Sequence, residues 1–169
     1  MQSILLFVDD IYEDLELLYS KIRMEEAGFK TAVAGPEAAK TYHGKHGYPC
    51  KAELSFERVQ MGSFTALIIP GGYAPDKIRR HPKALEIVRS MNDAKKPIAF
   101  ICHAGWVPIS AKILKGKRAT GCSAIKDDLE NAGAHYVDQA VVVDGHLISS
   151  RTPADLPQFC KALLEILEK

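Results

Sequence analysis

A thiol and an imidazole stand side by side where a buried strand is expected to end. The apolar residues 99–101 are followed directly by Cys102 and His103, and then by Ala104 and Gly105. Small residues at these two positions allow a sharp turn into a helix. This order is typical of a nucleophile elbow, which lifts one side chain above the carboxyl edge of a sheet. Because a helix N-terminus and a neighbouring histidine both favour the thiolate, the pattern predicts Cys102 as a nucleophile with a low pKa.

Two other loops are expected at the same edge of the sheet. Acidic residues that include Glu13 follow a strand predicted over residues 4–8, and Gly71 and Gly72 follow a strand predicted over residues 65–69. The carboxyl ends of parallel strands share one edge, where ligands bind in open α/β sheets. Exposed glycine amides at that edge are suited to hold an oxyanion. The three loops together therefore predict one active site.

The remaining elements alternate between strands and helices. Apolar runs predict strands over residues 4–8, 29–34, 65–69 and 97–101, and amphipathic patterns predict helices that end near Ala27, follow Pro82, span residues 107–114 and begin at Thr152. Hairpins are expected within residues 41–54 and 141–149. This rhythm predicts a three-layer α/β sandwich with a mostly parallel, flavodoxin-like sheet and helices on both faces. We expect one domain over residues 1–169.

The composition and charge of the chain argue against several classes of function. The 169 residues are 47% hydrophobic, and 22 basic and 21 acidic side chains give a net charge of +1. Without a basic stripe there is no indication of nucleic-acid binding, and no apolar run is long enough for a membrane span. The N-terminal apolar run is too short for a signal peptide, so a cytoplasmic location is expected. The four cysteines have neither CxxC nor zinc-finger spacing and are expected to be thiols.

Motifs along the whole chain resemble the PfpI family of intracellular cysteine peptidases, within the superfamily of the parkinsonism-associated protein deglycase and a class I glutamine amidotransferase-like fold. The matching stretches are Tyr12-Glu13-Asp14-Leu15-Glu16-Leu17, Gly44-Lys45-His46-Gly47-Tyr48, Pro70-Gly71-Gly72, Ile101-Cys102-His103, Ile125-Lys126-Asp127-Asp128, Asn131-Ala132-Gly133 and Ser149-Ser150-Arg151-Thr152-Pro153-Ala154-Asp155-Leu156. As a set they are highly specific, although no single stretch is.

The resemblance implies roles for individual residues. It implies Cys102 as the nucleophile with His103 beside it, and Glu13 as the carboxyl group that hydrogen-bonds the cysteine. We expect Glu13 to be partly protonated near neutral pH, because burial beside a thiolate raises a carboxyl pKa. It implies oxyanion amides at Gly72 and Ala104.

The resemblance also implies a homo-oligomer, in which Asp76 reaches a neighbouring site across a subunit interface. Relatives often have glutamate there, and some have tyrosine where this chain has Cys122. A cysteine at that pocket position is expected to alter substrate choice or to add a second redox-active thiol. Cys160 lies in an apolar helical stripe and is expected to be inert, and Cys50 is assigned no role.

The activities implied by the resemblance are peptidase, deglycase and glyoxalase chemistry on a small carbonyl compound or a peptide or protein substrate. Each begins with thiolate attack on a carbonyl carbon, and no metal or organic cofactor is implied. The alternative is a non-enzymatic redox sensor or stress-response holdase that uses Cys102 as an oxidisable switch.

Three other α/β classes fit the sequence poorly. A glutamine amidotransferase needs a downstream His-x-Glu, and none of the six histidines is followed by glutamate two places later. A response-regulator receiver needs an aspartate at the end of strand three. A flavodoxin needs a phosphate-binding loop after strand one, where this chain has acidic residues that repel phosphate.

Overall fold

The computed structural model describes residues 2–168. Its strands are β1 (Ser3–Phe7), β2 (Lys30–Gly35), β3 (Thr41–His43), β4 (Pro49–Lys51), β5 (Leu54–Ser55), β6 (Ala66–Ile69), β7 (Ile98–Ile101), β8 (Arg118–Ala119), β9 (His135–Tyr136), β10 (Val141–Asp144) and β11 (Leu147–Ser150). Its α-helices are α1 (Asp14–Glu26), α2 (Ala74–Ile78), α3 (Pro82–Asp93), α4 (Trp106–Ser110), α5 (Lys126–Asn131) and α6 (Leu156–Leu167).

Seven strands form the main sheet in the order β10-β11-β7-β6-β1-β2-β5. Every neighbouring pair is parallel except the β10–β11 hairpin. The predicted mostly parallel α/β sheet is therefore confirmed. Because β1, β6 and β7 are parallel neighbours, the loops that follow them meet at one edge.

The central strands are buried on both faces, which explains their unbroken apolar sequences. Every residue of β6 and β7 is buried. The predicted hairpins are also present, as the β3–β4 and β10–β11 pairs. Among residues 2–168, no helix is long and apolar enough to cross a membrane.

Two helices differ from the sequence pattern. Helix α4 ends at Ser110, short of the expected Leu114. The spacing of Leu15, Leu18 and Ile22 predicts the apolar face of helix α1, but the helix turns a different face to the core. Leu15 and Ile22 are 58% and 62% exposed, whereas Leu17 and Met24 are fully buried. This rotation places polar side chains of α1 beneath the loops at the sheet edge.

Candidate active site

Cys102 occupies a strained turn at the end of β7. Its φ of +61° lies in the left-handed region, which a cysteine rarely adopts. A short 3₁₀ turn over Cys102–Gly105 leads into α4. Gly105 is required there, since a Cβ atom would lie 2.8 Å from Ile125 Cδ1. The predicted elbow geometry is present, and strain of this kind is typical of functional positions.

A cavity of about 340 Å³ opens over Cys102. Its lining is Ile11, Glu13, Glu16, Lys45, Gly72, Tyr73, Cys102, His103, Trp106 and Pro153. Of the residues predicted for the site, it brings together Cys102, His103, Glu13 and Gly72. The indole of Trp106 packs against the His103 ring, with centroids 5.1 Å apart. The cavity wall therefore contains a thiol, a carboxyl group and aromatic side chains.

The carboxyl group beside the thiol belongs to Glu16, which is fully buried. Its Oε2 accepts a 2.6 Å hydrogen bond from the Gly71 N–H. A Cβ atom on Gly71 would lie 2.6 Å from Glu16 Oε2 and 2.9 Å from Cys102 Cβ. Only the missing side chain of Gly71 therefore leaves room for the carboxyl group and the Cys102 thiol to lie together.

Glu16 is a neutral acid at neutral pH. Burial raises its pKa to about 8, against the lowering effect of the Gly71 N–H, and the Cys102 thiol interacts with the same carboxyl group. Oε1 is buried without a hydrogen-bond partner of good geometry in the described chain. Since Oε2 accepts from Gly71, the proton belongs on Oε1, where it is free to be donated.

Glu13 does not have the role predicted for it. Its Oε2 accepts a 3.0 Å hydrogen bond from the Glu16 N–H, so Glu13 is the N-cap of α1. Its Oε1 faces Lys45 Nζ at 3.8 Å. Glu13 therefore lines the cavity, and the hydrogen bond to the cysteine belongs to Glu16 instead.

The three backbone amides that were predicted to bind an oxyanion lie in different environments. The Gly71 N–H is occupied by Glu16. Gly72 lines the cavity at φ +75°, and its N–H donates to no backbone or side-chain acceptor among residues 2–168. Ala104 is fully buried and outside the cavity lining. The amide that contacts the sulfur is instead that of His103, which favours the Cys102 anion.

Cys102 and Cys122 meet at one imidazole nitrogen. The Nδ1 atom of His103 lies 3.3 Å from Cys102 Sγ and 3.4 Å from Cys122 Sγ. The Cys122 N–H donates a 3.3 Å hydrogen bond to the Cys102 carbonyl, which joins the two backbones. Cys122 is not among the residues that line the cavity.

The two thiols ionise as a pair. The pKa of Cys122 is lowered to about 4, first by its hydrogen bond with Cys102 and then, against burial, by His103. The pKa of Cys102 is raised far above its usual range by the same hydrogen bond, by burial and by Glu16. The low pKa that was expected at Cys102 is therefore a property of the two thiols together. The pair loses its first proton readily and retains its second proton to high pH.

The other predicted residues lie away from this cluster. Asp76 pairs with Arg80, one turn later on the chain, and does not line the cavity. Its expected role needs a second copy of the chain. Cys50 and Cys160 are buried, and burial raises the pKa of each thiol to about 11. Both are therefore poor nucleophiles.

The site also offers metal-ligating atoms. The donor atoms of Cys102, His103 and Cys122 lie within 4.8 Å of one another, and such sulfur and imidazole donors suit a soft ion such as Zn²⁺. A second group, Glu13, Asp14 and His46, is also close together. The Asp14 carboxylate in that group already accepts the N–H of His46.

Sequence reasoning missed Glu16, Lys45, Tyr73 and Trp106. For Glu16 the available signal was its place on a helix one position before the buried Leu17. A glutamate on the core face of a helix is unusual, because a buried carboxyl group needs a partner. For Lys45, Tyr73 and Trp106 the signal was only their nearness to glycine-containing loops.

Comparisons with known proteins match nearly the whole chain to one family. The DJ-1/PfpI family model matches residues 2–166. The chain is 42% identical over 166 residues to Deglycase PH1704 of Pyrococcus horikoshii, covering 98% of this chain and 99% of that protein. It is 39% identical over 160 residues to General stress protein 18 of Bacillus subtilis, covering 94% and 93% of the two chains.

Solved structures give the same result. A two-domain protein of Anabaena variabilis, with DJ-1/ThiJ/PfpI-like and ferritin-like domains, matches with a TM-score of 0.98 and 38% identity. The match covers 99% of this chain and 48% of that one, so this chain spans about half of the two-domain protein. Drosophila melanogaster DJ-1β matches with a TM-score of 0.92 and 27% identity, over 99% and 91% of the two chains. The chain described here belongs to the DJ-1/PfpI family.

Proposed function

We propose that this protein is a cofactor-free enzyme in which Cys102 attacks the carbonyl carbon of a small aldehyde or of its protein adduct. The observation that carries the proposal is that the Cys102 thiol lies beside the neutral carboxyl group of Glu16. The two groups pack against Gly71, which has no side chain to separate them. A nucleophile and an acid on one cavity wall are what addition to a carbonyl group requires.

The nucleophile is formed within the thiol pair. One proton is shared between Cys102 and Cys122, and His103 Nδ1 touches both sulfurs. When that proton lies on Cys122 or His103, Cys102 is a thiolate. It faces the cavity and is free to attack. The His103 amide favours the anion at this sulfur.

Attack forms a bond between Cys102 Sγ and the carbonyl carbon, and the π electrons of the carbonyl group move to its oxygen. Gly72 lines the cavity, and we assign its N–H as the donor to the developing oxyanion. The proton on Glu16 Oε1 completes the step by transfer to that oxygen, which gives a thiohemiacetal. The raised pKa of Glu16 suits this role, because it keeps the carboxyl group protonated until the proton is donated to the oxyanion.

The cavity supports a small substrate. A volume of about 340 Å³ is at the lower end of the range of ligand pockets. Relatives with 42% identity are named deglycases. Methylglyoxal and its adducts with protein side chains are therefore the carbonyl compounds that we propose, and peptide hydrolysis is the less favoured activity.

A substrate panel tests this choice. Wild-type protein is assayed for lactate formation from free methylglyoxal, for lactate formation from a methylglyoxal-modified thiol peptide, and for cleavage of a fluorogenic peptide. We expect turnover of the two methylglyoxal substrates, with peptide cleavage at least about 10²-fold slower in kcat/KM. Faster cleavage of the peptide would contradict the proposal and favour a peptidase.

A further inference from the structure

The position of Cys122 carries an inference that does not depend on the carbonyl chemistry. Both Cys122 and Cys102 place their sulfur within 3.4 Å of His103 Nδ1, and their backbones are hydrogen-bonded to each other. All three donor atoms lie within 4.8 Å of one another. The two sulfurs therefore lie within 4.8 Å of each other, and a disulfide requires them to close to about 2.05 Å.

We propose that Cys102 and Cys122 form a two-cysteine site that reduces a hydroperoxide and closes to a Cys102–Cys122 disulfide. The ligand class is a small hydroperoxide, either hydrogen peroxide or an alkyl hydroperoxide. Cys102 is the attacking residue, because it lines the cavity. Cys122 is the resolving residue, because it approaches the same sulfur from outside that cavity.

The first step oxidises Cys102. Its thiolate attacks the distal peroxide oxygen, so that an S–O bond forms and the O–O bond breaks. The leaving oxygen takes the proton of the neutral Glu16 carboxyl group, whose Oε1 has no other partner of good geometry in the described chain. The products are a sulfenic acid on Cys102, an alcohol or water, and ionised Glu16.

The second step forms the disulfide. In the state in which Cys102 reacts as the thiolate, the remaining proton of the pair lies on Cys122. Cys122 gives this proton to His103 Nδ1, 3.4 Å away, and the resulting thiolate attacks the Cys102 sulfur. The S–S bond forms, the S–O bond breaks, and hydroxide leaves as water with the proton from His103. The two sulfurs supply the two electrons that the peroxide accepts, and an external dithiol restores the reduced pair.

The arrangement also explains what Cys122 prevents. A sulfenic acid without a neighbouring thiol is oxidised further by peroxide to sulfinic acid, which dithiols do not reduce. Cys50 and Cys160 are buried elsewhere in the core and cannot resolve it. Cys122 is therefore the residue that keeps oxidation of Cys102 reversible.

Peptide mapping tests the inference on the whole chain. Trypsin separates the two cysteines, since Lys112, Lys115, Lys117 and Arg118 lie between them. Reduced protein is treated with two equivalents of hydrogen peroxide, enough to take one thiol to sulfinic acid, and is then alkylated and digested without reductant. In wild type we expect loss of both free thiols, one cross-linked Cys102–Cys122 peptide within a single chain, and recovery of both thiols with dithiothreitol.

Two variants give matched controls. Cys122→Ser should lose the cross-link and accumulate Cys102 with two added oxygen atoms, whereas Cys50→Ser should behave as wild type. Wild-type protein that accumulates sulfinic acid on Cys102 while Cys122 remains a free thiol would overturn the inference. A cross-link found only between two chains would overturn it as well. Because the readout is the disulfide, failure here leaves the aldehyde assay as a separate test of the proposed function.

Discussion

The Glu16 carboxyl group accepts a 2.6 Å hydrogen bond from the Gly71 N–H at the end of β6. This contact fixes a buried acid beside the cysteine elbow and determines which of its oxygens carries the proton. It also separates the roles of two glutamates in the same helical turn. Glu13 caps α1, whereas Glu16 faces the nucleophile.

Substitution of these two glutamates should have different effects. Glu16→Gln keeps the shape but has no proton to transfer, so kcat/KM for methylglyoxal should fall about 10²–10⁴-fold. Glu13→Ala should leave turnover within a few-fold and reduce the free energy of unfolding by about 0.5–2 kcal/mol, the range for loss of an N-cap. Steady-state kinetics and urea unfolding of both variants check this. Equal losses of activity would contradict the assignment of Glu16.

Glu16 should make stability depend on pH. Its pKa is 4.5 in the unfolded chain and about 8 in the fold, so the folded state binds more protons between these values. Stability from this group is therefore full below pH 4.5, declines as pH rises toward 8, and is lost above it. One pKa unit corresponds to about 1.4 kcal/mol, or about 2–4 °C in Tm for a chain of this size.

The measurement compares Tm between pH 5 and 8 with and without Glu16→Gln. Both proteins carry Cys122→Ser, since the thiol pair titrates in the same range. The protein with Glu16 should lose several degrees more than its Glu16→Gln partner as pH rises. Parallel Tm curves would show that Glu16 is ionised throughout.

Cys122 should control the reactivity of Cys102. Its thiolate holds the remaining proton on Cys102, and this hydrogen bond is the largest cause of the raised Cys102 pKa. A serine at position 122 does not ionise in this range, so Cys122→Ser should move the alkylation profile of Cys102 to lower pH by at least about one unit. The iodoacetamide rate against pH, mapped by mass spectrometry, measures the shift. A profile identical to wild type would mean that the thiols titrate independently.

Gly71 should tolerate no side chain. A Cβ atom there would lie 2.9 Å from the Ile101 carbonyl oxygen as well as against Glu16 and Cys102. Gly71→Ala should displace the acid from the thiol and lower kcat/KM about 10²-fold or more. Gly62→Ala is the matched control, since a Cβ atom at Gly62 meets nothing within 4 Å. Similar activity in the two variants would contradict the packing argument.

The predicted oligomer also remains to be measured. Asp76 is bound to Arg80 on its own chain, so it contributes to an active site only through a second copy. We expect sedimentation to give a dimer or larger species at micromolar concentration. In that species Asp76→Ala should lower turnover without changing Tm by more than a few degrees. A fully active monomer would remove Asp76 from the site.

The sequence predicted the elbow and the sheet because local rules apply there. Residues 99–101 are uniformly apolar, and the small residues after Cys102 permit the sharp turn that the structure contains. The parallel strand rhythm then places the three loops at one edge. These features depend on residues that are close together in the chain, so a single sequence is enough to predict them.

Glu16 was missed for a tertiary reason. The spacing of Leu15, Leu18 and Ile22 indicated one apolar face for α1, but Leu15 and Ile22 are exposed and the opposite side contacts the sheet. The resemblance placed Cys122 near the pocket, but its contact with Cys102 depends on a loop that returns after 20 residues. Neither relationship is encoded in local spacing.

The most direct test of the account is the rate of lactate formation from methylglyoxal by wild type, Cys102→Ser and Cys50→Ser, all with matched circular dichroism spectra. If Cys102 is the nucleophile, Cys102→Ser should lose at least about 10³-fold in kcat/KM. Cys50→Ser should keep the wild-type rate, because that thiol is buried away from the cavity. Lactate formation by Cys102→Ser within ten-fold of wild type would contradict thiolate attack by Cys102.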